Sequence, residues 1–336
     1  MIRIALGVTG ALIIGMVLWD IIGTTLLLSG GGPLTTRVTN RIWKVFLAVH
    51  RHGPFRNFLS YCGVGLILGT ITFWIMAYWA GWTLIFSVSE SAVLEAQTEV
   101  PATFLQRAYY TGFTFITLGT GDFKPGNAFW QILTVFLAVS GFFMVTLVIT
   151  YLLPVVSAVV EKRQLAIHIR SMSLQRNGLL PSSSRMGLQG LITNLQPLSE
   201  RVSRLGQQHL AYPILHYMHA ADPNASLPLA LAELDETLTL IFKGAAELPP
   251  EAETLLPLRH SLTFYLSTVH ALYSPRGNTP PPALPLDMLH HLGLTPLASK
   301  EFTKRIHDLE ERRRMLQGLV QHSGWTWQDI QRFHHA

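Results

Sequence analysis

The chain has 336 residues, of which 49% are hydrophobic and only 13% charged, with a formal net charge of +5. That balance is too apolar for an ordinary soluble protein. A single cysteine, Cys62, excludes an intrachain disulfide and a cysteine-based metal site.

The apolar residues are unevenly spread. Ile4–Ser29, Gly63–Val88 and Ala128–Val160 are nearly uncharged. Each exceeds the ~20 helical residues needed to cross ~30 Å of hydrocarbon. The first stretch reads as a retained span, not a secretory signal peptide. One basic residue precedes it, and no small-x-small cleavage pattern stands before Gly30-Gly31-Gly32. Asp20 falls at the inner interface beside Trp19, where it is expected to pair with Arg37, Arg41 or Lys44; a role in gating is the alternative reading. Between the first two spans lie Arg37, Arg41, Lys44, Arg51 and Arg56, with no acid from Gly30 to Leu59. This basic loop is predicted to be cytoplasmic and able to contact anionic lipid. Glu90, Glu95 and Glu99 follow the second span and suit an acidic outer vestibule.

Pro101–Ile116 reads as a helix too short to cross, with Pro101 suited to its first turn. It leads into Thr117-Leu118-Gly119-Thr120-Gly121-Asp122. Non-helical backbone at membrane depth is tolerable only where it lines a cavity or is buried in protein. Aiming successive carbonyls at one axis requires dihedrals that alternate between right- and left-handed regions, and glycine visits the latter without steric cost. Gly119 and Gly121 supply that alternation, the Thr117 hydroxyl adds an oxygen at the inner end, and Asp122 places a carboxylate at the outer mouth. Lys162, Arg163 and Arg170 after the third span again mark the cytoplasmic side. The topology is therefore a multi-pass protein of the plasma (inner) membrane, with its N-terminus outside and its C-terminal half in the cytoplasm.

Tyr109-Tyr110, Thr114-Phe115-Ile116 and the hexapeptide from Thr117 to Asp122, set between apolar helices, resemble the pore-loop family of potassium channels over roughly residues 60 to 160. The resemblance implies an all-α membrane protein, with a re-entrant pore helix and filter, assembled as a homotetramer around one axis. It implies K+ as the permeant ion, held at Thr117, Leu118, Gly119 and Thr120, with Gly121 completing the filter; no other cofactor is implied. Thr120 stands where the family places an aromatic residue, and Phe113 where some members carry a carboxyl group. Gly141 occupies the place of a hinge glycine, and Pro154 is expected to kink the inner helix. Phe142, Val145, Ile149 and Leu153 share one helical face and are expected to line the pore and gate it by dewetting; packing against the second span is the alternative.

From Glu161 onward the sequence reads as an all-α cytoplasmic domain, giving the divisions 1–58, 59–160 and 161–336. Leu262, Leu266, Val269 and Tyr273 fall on one helical face, as do Phe302, Ile306, Leu309, Leu316 and Val320. Breaks are expected at Asn177–Arg185, Ala221–Pro228 and Ser274–Pro285. No G-x-G-x-x-G run marks a nucleotide-binding domain, and no arginine ladder marks a voltage sensor. Twelve of fourteen histidines lie after residue 160, among them His216, His219, His290, His291, His334 and His335, which makes them candidate proton sensors. Zinc at His216 and His219 is disfavoured for want of further ligands. Arg312-Arg313-Arg314 follows Glu310-Glu311 and reads as a solvated helical face; with 17 basic and 15 acidic residues, this half is not expected to bind nucleic acid. Motifs of a membrane enzyme are missing. The function read from the sequence is a potassium channel gated through its cytoplasmic domain. A weakly selective monovalent cation channel and a membrane-anchored sensor or scaffold are the alternatives.

Overall fold

The computed structural model describes residues 1–27, 31–52, 58–174, 187–273, 277, 279–283 and 285–331. Arg56, the break at Asn177–Arg185, parts of that at Ser274–Pro285, and His334 and His335 lie outside the described residues. The fold is all-helical, with one two-stranded antiparallel ribbon among the described residues. Among the described residues, three helices are long and apolar enough to cross a membrane: α1 (Ile2–Thr25), α3 (Phe58–Ile85) and α5 (Ala128–Leu174).

The chain divides into two units, Met1–Val38 with Gly65–Pro154, and Thr39–Val64 with Val155–Ala336. The first unit holds α1, most of α3, the short α4 (Phe104–Phe115) and the first part of α5. Its core is aromatic: Trp74, Tyr78 and Trp82 of α3, with Phe86 just past its end, meet Tyr110, Phe113 and Phe115 of α4 and Trp130 of α5. α1 approaches α3 closely where both are glycine. A Cβ at Gly10 would lie 2.6 Å from the Gly81 carbonyl oxygen, and one at Gly81 would lie 2.8 Å from Ile14 Cγ1. Small residues of this kind let helix backbones pack tightly in a membrane.

The basic stretch after α1 is not a loop but a helix, α2 (Pro33–His52). Asp20 decides where it begins. This fully buried carboxylate accepts the Leu34 and Thr35 backbone N–H groups at 2.9 and 3.2 Å, the Thr35 hydroxyl at 2.5 Å and the Trp74 indole at 2.9 Å. It therefore caps the first turn of α2 instead of pairing with Arg37, Arg41 or Lys44, which are exposed. Asp20→Ala is expected to cost about 2 kcal/mol or more, because four donors, among them the buried Trp74 indole, lose their acceptor. Asp20→Asn, keeping one acceptor oxygen, should cost less. Thermal unfolding of the detergent-solubilised protein checks both.

The second unit is built from the distal part of α5 and the helices α6 (Gly187–Leu195), α7 (Leu198–Ala211), α8 (Leu227–Thr239), α9 (Leu256–Tyr273), α10 (Ser299–His307), α11 (Glu310–His322) and α12 (Gln328–Gln331). Leu262, Leu266 and Val269 of α9 are buried and Tyr273 half-buried, as their spacing predicts. The second predicted face is two helices. α10 ends at Asp308, so Phe302 and Ile306 belong to one helix, Leu316 and Val320 to the next, and Leu309 stands at the junction.

Helix α8 is buried on every side, yet it carries Glu233, Asp235 and Glu236. Burying carboxylates is tolerable only with partners of good geometry. Arg170 of α5 meets Glu233 at 2.7 Å. Arg259 meets Asp235 at 2.8 Å, and Arg312 forks onto the same carboxylate. Arg313 is bidentate to Glu236, at 2.8 and 3.0 Å. The arginine run is therefore not a solvated face; Arg312 and Arg313 turn inward because α8 offers them charge. Burial would raise the Asp235 carboxyl, but Arg312 and Arg259 hold it below the usual carboxylate range.

His209 of α7 is fully buried, its Nδ1 2.9 Å from the Leu205 carbonyl oxygen. Burial, and then the nearby Lys162 ammonium, push its imidazole down to about 3. The unfolded chain binds this proton near the ordinary histidine value of about 6.5, so stability falls as pH drops through that value and keeps falling towards the folded one. At pH 5 the expected loss from this residue is about 2 kcal/mol relative to neutral pH. Unfolding midpoints at pH 7.5 and 5 should show a slope that His209→Asn flattens; equal slopes in the two proteins rule this assignment out.

Candidate conduction site

The site is assembled within the first unit, starting from the entry to α4. Pro101 is not in the first turn of this helix; it lies ahead of it, bridged to Leu94. Thr103 is the N-cap instead, in a reciprocal capping box with Gln106. The body of α4 is clamped by hydrogen bonds. Trp79 of α3 donates its indole N–H to the Ala108 carbonyl at 2.9 Å, the Thr83 and Thr111 hydroxyls pair at 2.9 Å, and the Tyr110 and Thr134 hydroxyls pair at 2.7 Å.

Beyond the α4 C-terminus the backbone alternates. Thr117 has φ +59°, Gly119 +60° and Gly121 +80°, so every second residue from 117 to 121 is left-handed. Glycine adopts this region freely, whereas threonine does so at a steric cost, and strain of this kind collects at functional sites. Two backbone bonds anchor the start of the segment: Thr117 N–H to the Thr114 carbonyl at 3.0 Å, and Leu118 N–H to the Phe113 carbonyl at 2.8 Å. Ile116 through Asp122 are all exposed, including the apolar side chains of Ile116 and Leu118.

At the outer end, the Asp122 carbonyl accepts the Ala96 N–H at 2.9 Å. The ribbon of β1 (Leu94–Glu95) and β2 (Phe123–Lys124) then ties the segment back to the acidic stretch, where Lys124 pairs with Glu99 at 2.7 Å. Phe123 is a residue that sequence reasoning missed. Its ring lies 6.1 Å from that of Tyr109, which also stands edge-on to Phe113 at 5.2 Å. Tyr109 thus has aromatic partners although residue 120 is threonine. The aromatic residue directly after Asp122 was the available signal.

Gly141 of α5 sits against the end of α4. A Cβ there would collide with the Phe115 carbonyl oxygen and come within 2.8 Å of its ring. Close approach, visible only in the fold, requires glycine at this position. Below it, Phe142, Val145, Ile149 and Leu153 are all exposed by at least 41%. The opposite face of α5, with Leu137, Met144, Tyr151 and Val155, is buried. Helix α5 runs unbroken through Pro154. The missing N–H there leaves the Thr150 carbonyl without its usual helical donor.

Residues 60–158 match a family model described as an ion channel. The uncharacterized membrane protein YdjJ of Bacillus subtilis (strain 168) is 31% identical over 323 residues, covering 95% of this chain and 94% of its own length. This chain belongs to the ion-channel pore family. No solved structure matches it. The matched segment takes in most of α3, all of α4, the alternating segment and α5 to just beyond Pro154. The chain is thus a membrane protein with an all-helical channel fold. Its second unit extends well past the matched residues, and the similarity to YdjJ covers that unit too.

Proposed function

We propose that this chain is the subunit of a homotetrameric potassium channel, in which Thr117–Gly121 form the selectivity filter. The observation that carries the reading is the run of left-handed residues at 117, 119 and 121. Such alternation turns successive carbonyls to one side, where they replace the hydration shell of a cation. A single copy leaves Ile116–Asp122 exposed, and four copies around an axis enclose them. The negative end of each α4 dipole then faces the inner cavity, with no basic residue in its last turn to oppose a cation. Asp122 forms the outer mouth, and Phe142, Val145, Ile149 and Leu153 line the conduit below.

Orientation follows from charge. Arg37, Arg41 and Lys44 are exposed on α2 beside an exposed apolar stripe of Val38, Ile42, Val45 and Val49. A helix with these two adjoining faces suits the inner membrane surface with anionic headgroups. Arg3 pairs with Glu90 at 2.5 Å, which puts the N-terminus at the same end of the first unit as the acidic vestibule. That end is outside. The second unit, continuous with α5 beyond Pro154, is the gating domain.

Proteoliposomes loaded with potassium should release it down its gradient, and failure to conduct any monovalent cation would exclude the channel reading. A second reading, weak selectivity, is favoured by Thr120, which is exposed and supplies no ring to the filter wall. Bi-ionic potassium/sodium recordings decide between them. Thr120→Tyr is expected to raise the potassium preference several-fold; an unchanged ratio removes residue 120 as a selectivity determinant.

A further inference from the structure

The second unit holds a partly open cavity of about 170 Å³. Its wall is assembled from sequence-distant pieces: Ser60 of α3, Lys162 and Arg163 of α5, His216 and His219 from the turn after α7, and Trp325 after α11. Ala225–Pro228 also lines it, so the N-terminus of the thirteen-residue helix α8 opens onto this space. Nothing in the conduction site uses these groups.

Three of the residues that line it each carry a buried polar atom without a hydrogen-bond partner among the described residues: Ser60 Oγ, His216 Nε2 and Trp325 Nε1. His216 is itself only 8% exposed. An indole N–H is a donor only, and a hydroxyl or a neutral imidazole can serve as one. Buried polar groups left unpaired are costly and call for an explanation such as a bound ion or ligand. The rings are already fixed. His216 stacks on Tyr273 at 3.8 Å, and His219 lies 5.5 Å from Trp325 while its Nδ1 is 2.8 Å from the Ser323 carbonyl. Lys162 donates to the Leu215 and Met218 carbonyls at 2.8 and 2.9 Å, which places its positive charge at the wall with two of the three ammonium hydrogens engaged.

The charge balance has one sign. Lys162 and Arg163 are cationic, a helix N-terminus adds partial positive charge, and among the described residues no carboxylate lines the cavity. Burial, and then the facing His322, keep the His216 imidazole well below its ordinary value, so it is neutral and can donate from its Nε2–H tautomer. The volume corresponds to roughly five or six waters at ~30 Å³ each, enough for a tetrahedral oxyanion.

We propose that this cavity binds a phosphate group, gripped by Arg163, Lys162, His216 and Trp325 at the N-terminus of α8. The phosphate is either free in solution or carried on the headgroup of an anionic lipid. Binding stands independently of conduction. Any effect on flux, exerted through Lys162 and Arg163 on α5, rests on the channel reading.

Full-length protein in phospholipid nanodiscs tests the site by thermal unfolding. In phosphatidylcholine discs, inorganic phosphate should raise the unfolding midpoint saturably. Arg163→Gln and Trp325→Phe, which remove a charge and a donor while keeping size, should each weaken the apparent affinity by about tenfold, the amount expected for one charged or buried hydrogen bond. If phosphate has no effect but phosphatidylglycerol discs stabilise the wild type and not the two variants, the ligand is a lipid phosphate. The proposal is overturned if neither source stabilises the protein, or if both variants respond as the wild type does. Flux assays are kept separate, so a silent channel that binds phosphate counts against the conduction reading alone.

Discussion

Gly141→Ala is expected to cut potassium flux in proteoliposomes while leaving the protein folded. The added methyl would meet the Phe115 carbonyl oxygen and come within 2.8 Å of the Phe115 ring, too close for either helix to stay where it is. The backbone carbonyl cannot rotate away, so α5 must retreat from the end of α4, the point from which the alternating segment starts. Overpacking of this kind costs about 1–3 kcal/mol. Charged wholly to the conducting state, that is roughly a 5- to 150-fold loss of conducting population. Stability separates this packing account from a hinge. Alanine in a helix interior is intrinsically favoured over glycine by about 1 kcal/mol, so a pure hinge predicts a protein with the same or a higher unfolding midpoint. The collision predicts a lower one. Gly65→Ala and Gly69→Ala, which would meet nothing within 4 Å, are matched controls expected to conduct normally. Wild-type flux in Gly141→Ala would defeat the account.

The largest stability effect is expected at the Arg170–Glu233 pair. Both side chains are at least 97% buried and 2.7 Å apart. Removing one partner takes away the other's closest counter-charge in a low-dielectric core. Arg170→Met or Glu233→Leu alone is therefore expected to destabilise the second unit by about 3–5 kcal/mol. The double substitution should recover most of that loss, because well-packed apolar residues commonly replace a buried ion pair at little cost. Denaturant unfolding of the three variants measures the coupling; additive losses in the double variant would show that the pair is not what holds α5 to α8. The pair also bears on gating, since Arg170 lies on the same helix as Pro154 and Leu153. If the second unit drives the gate, the single variants should decouple flux from any stimulus before they lose the pore itself.

Much of the first unit was legible in the linear chain. Three uncharged stretches announce three spanning helices because a bilayer imposes length and composition locally. The glycines at 119 and 121 announce alternating dihedrals because the requirement for left-handed backbone is local too. The amphipathic spacing of α9 marks its buried face for the same reason. Helix α2 was harder: the string of basic residues that reads as a loop is also the polar face of a helix whose apolar stripe lies one residue over.

What sequence alone determined, then, is whatever depends on neighbours along the chain: the spans, the pore helix, the alternating turn and the helical character of the second unit. Tertiary structure decided the partners. Asp20 serves the start of α2 and the Trp74 indole, 54 residues away, instead of a basic side chain. Arg313 finds Glu236 at a separation of 77 residues, turning a surface-like charge run into buried pairs. Gly141 is small because a carbonyl from another helix lies against it. Charge and contact act through space at a few ångströms regardless of sequence distance, so no pattern within a local window could have assigned them.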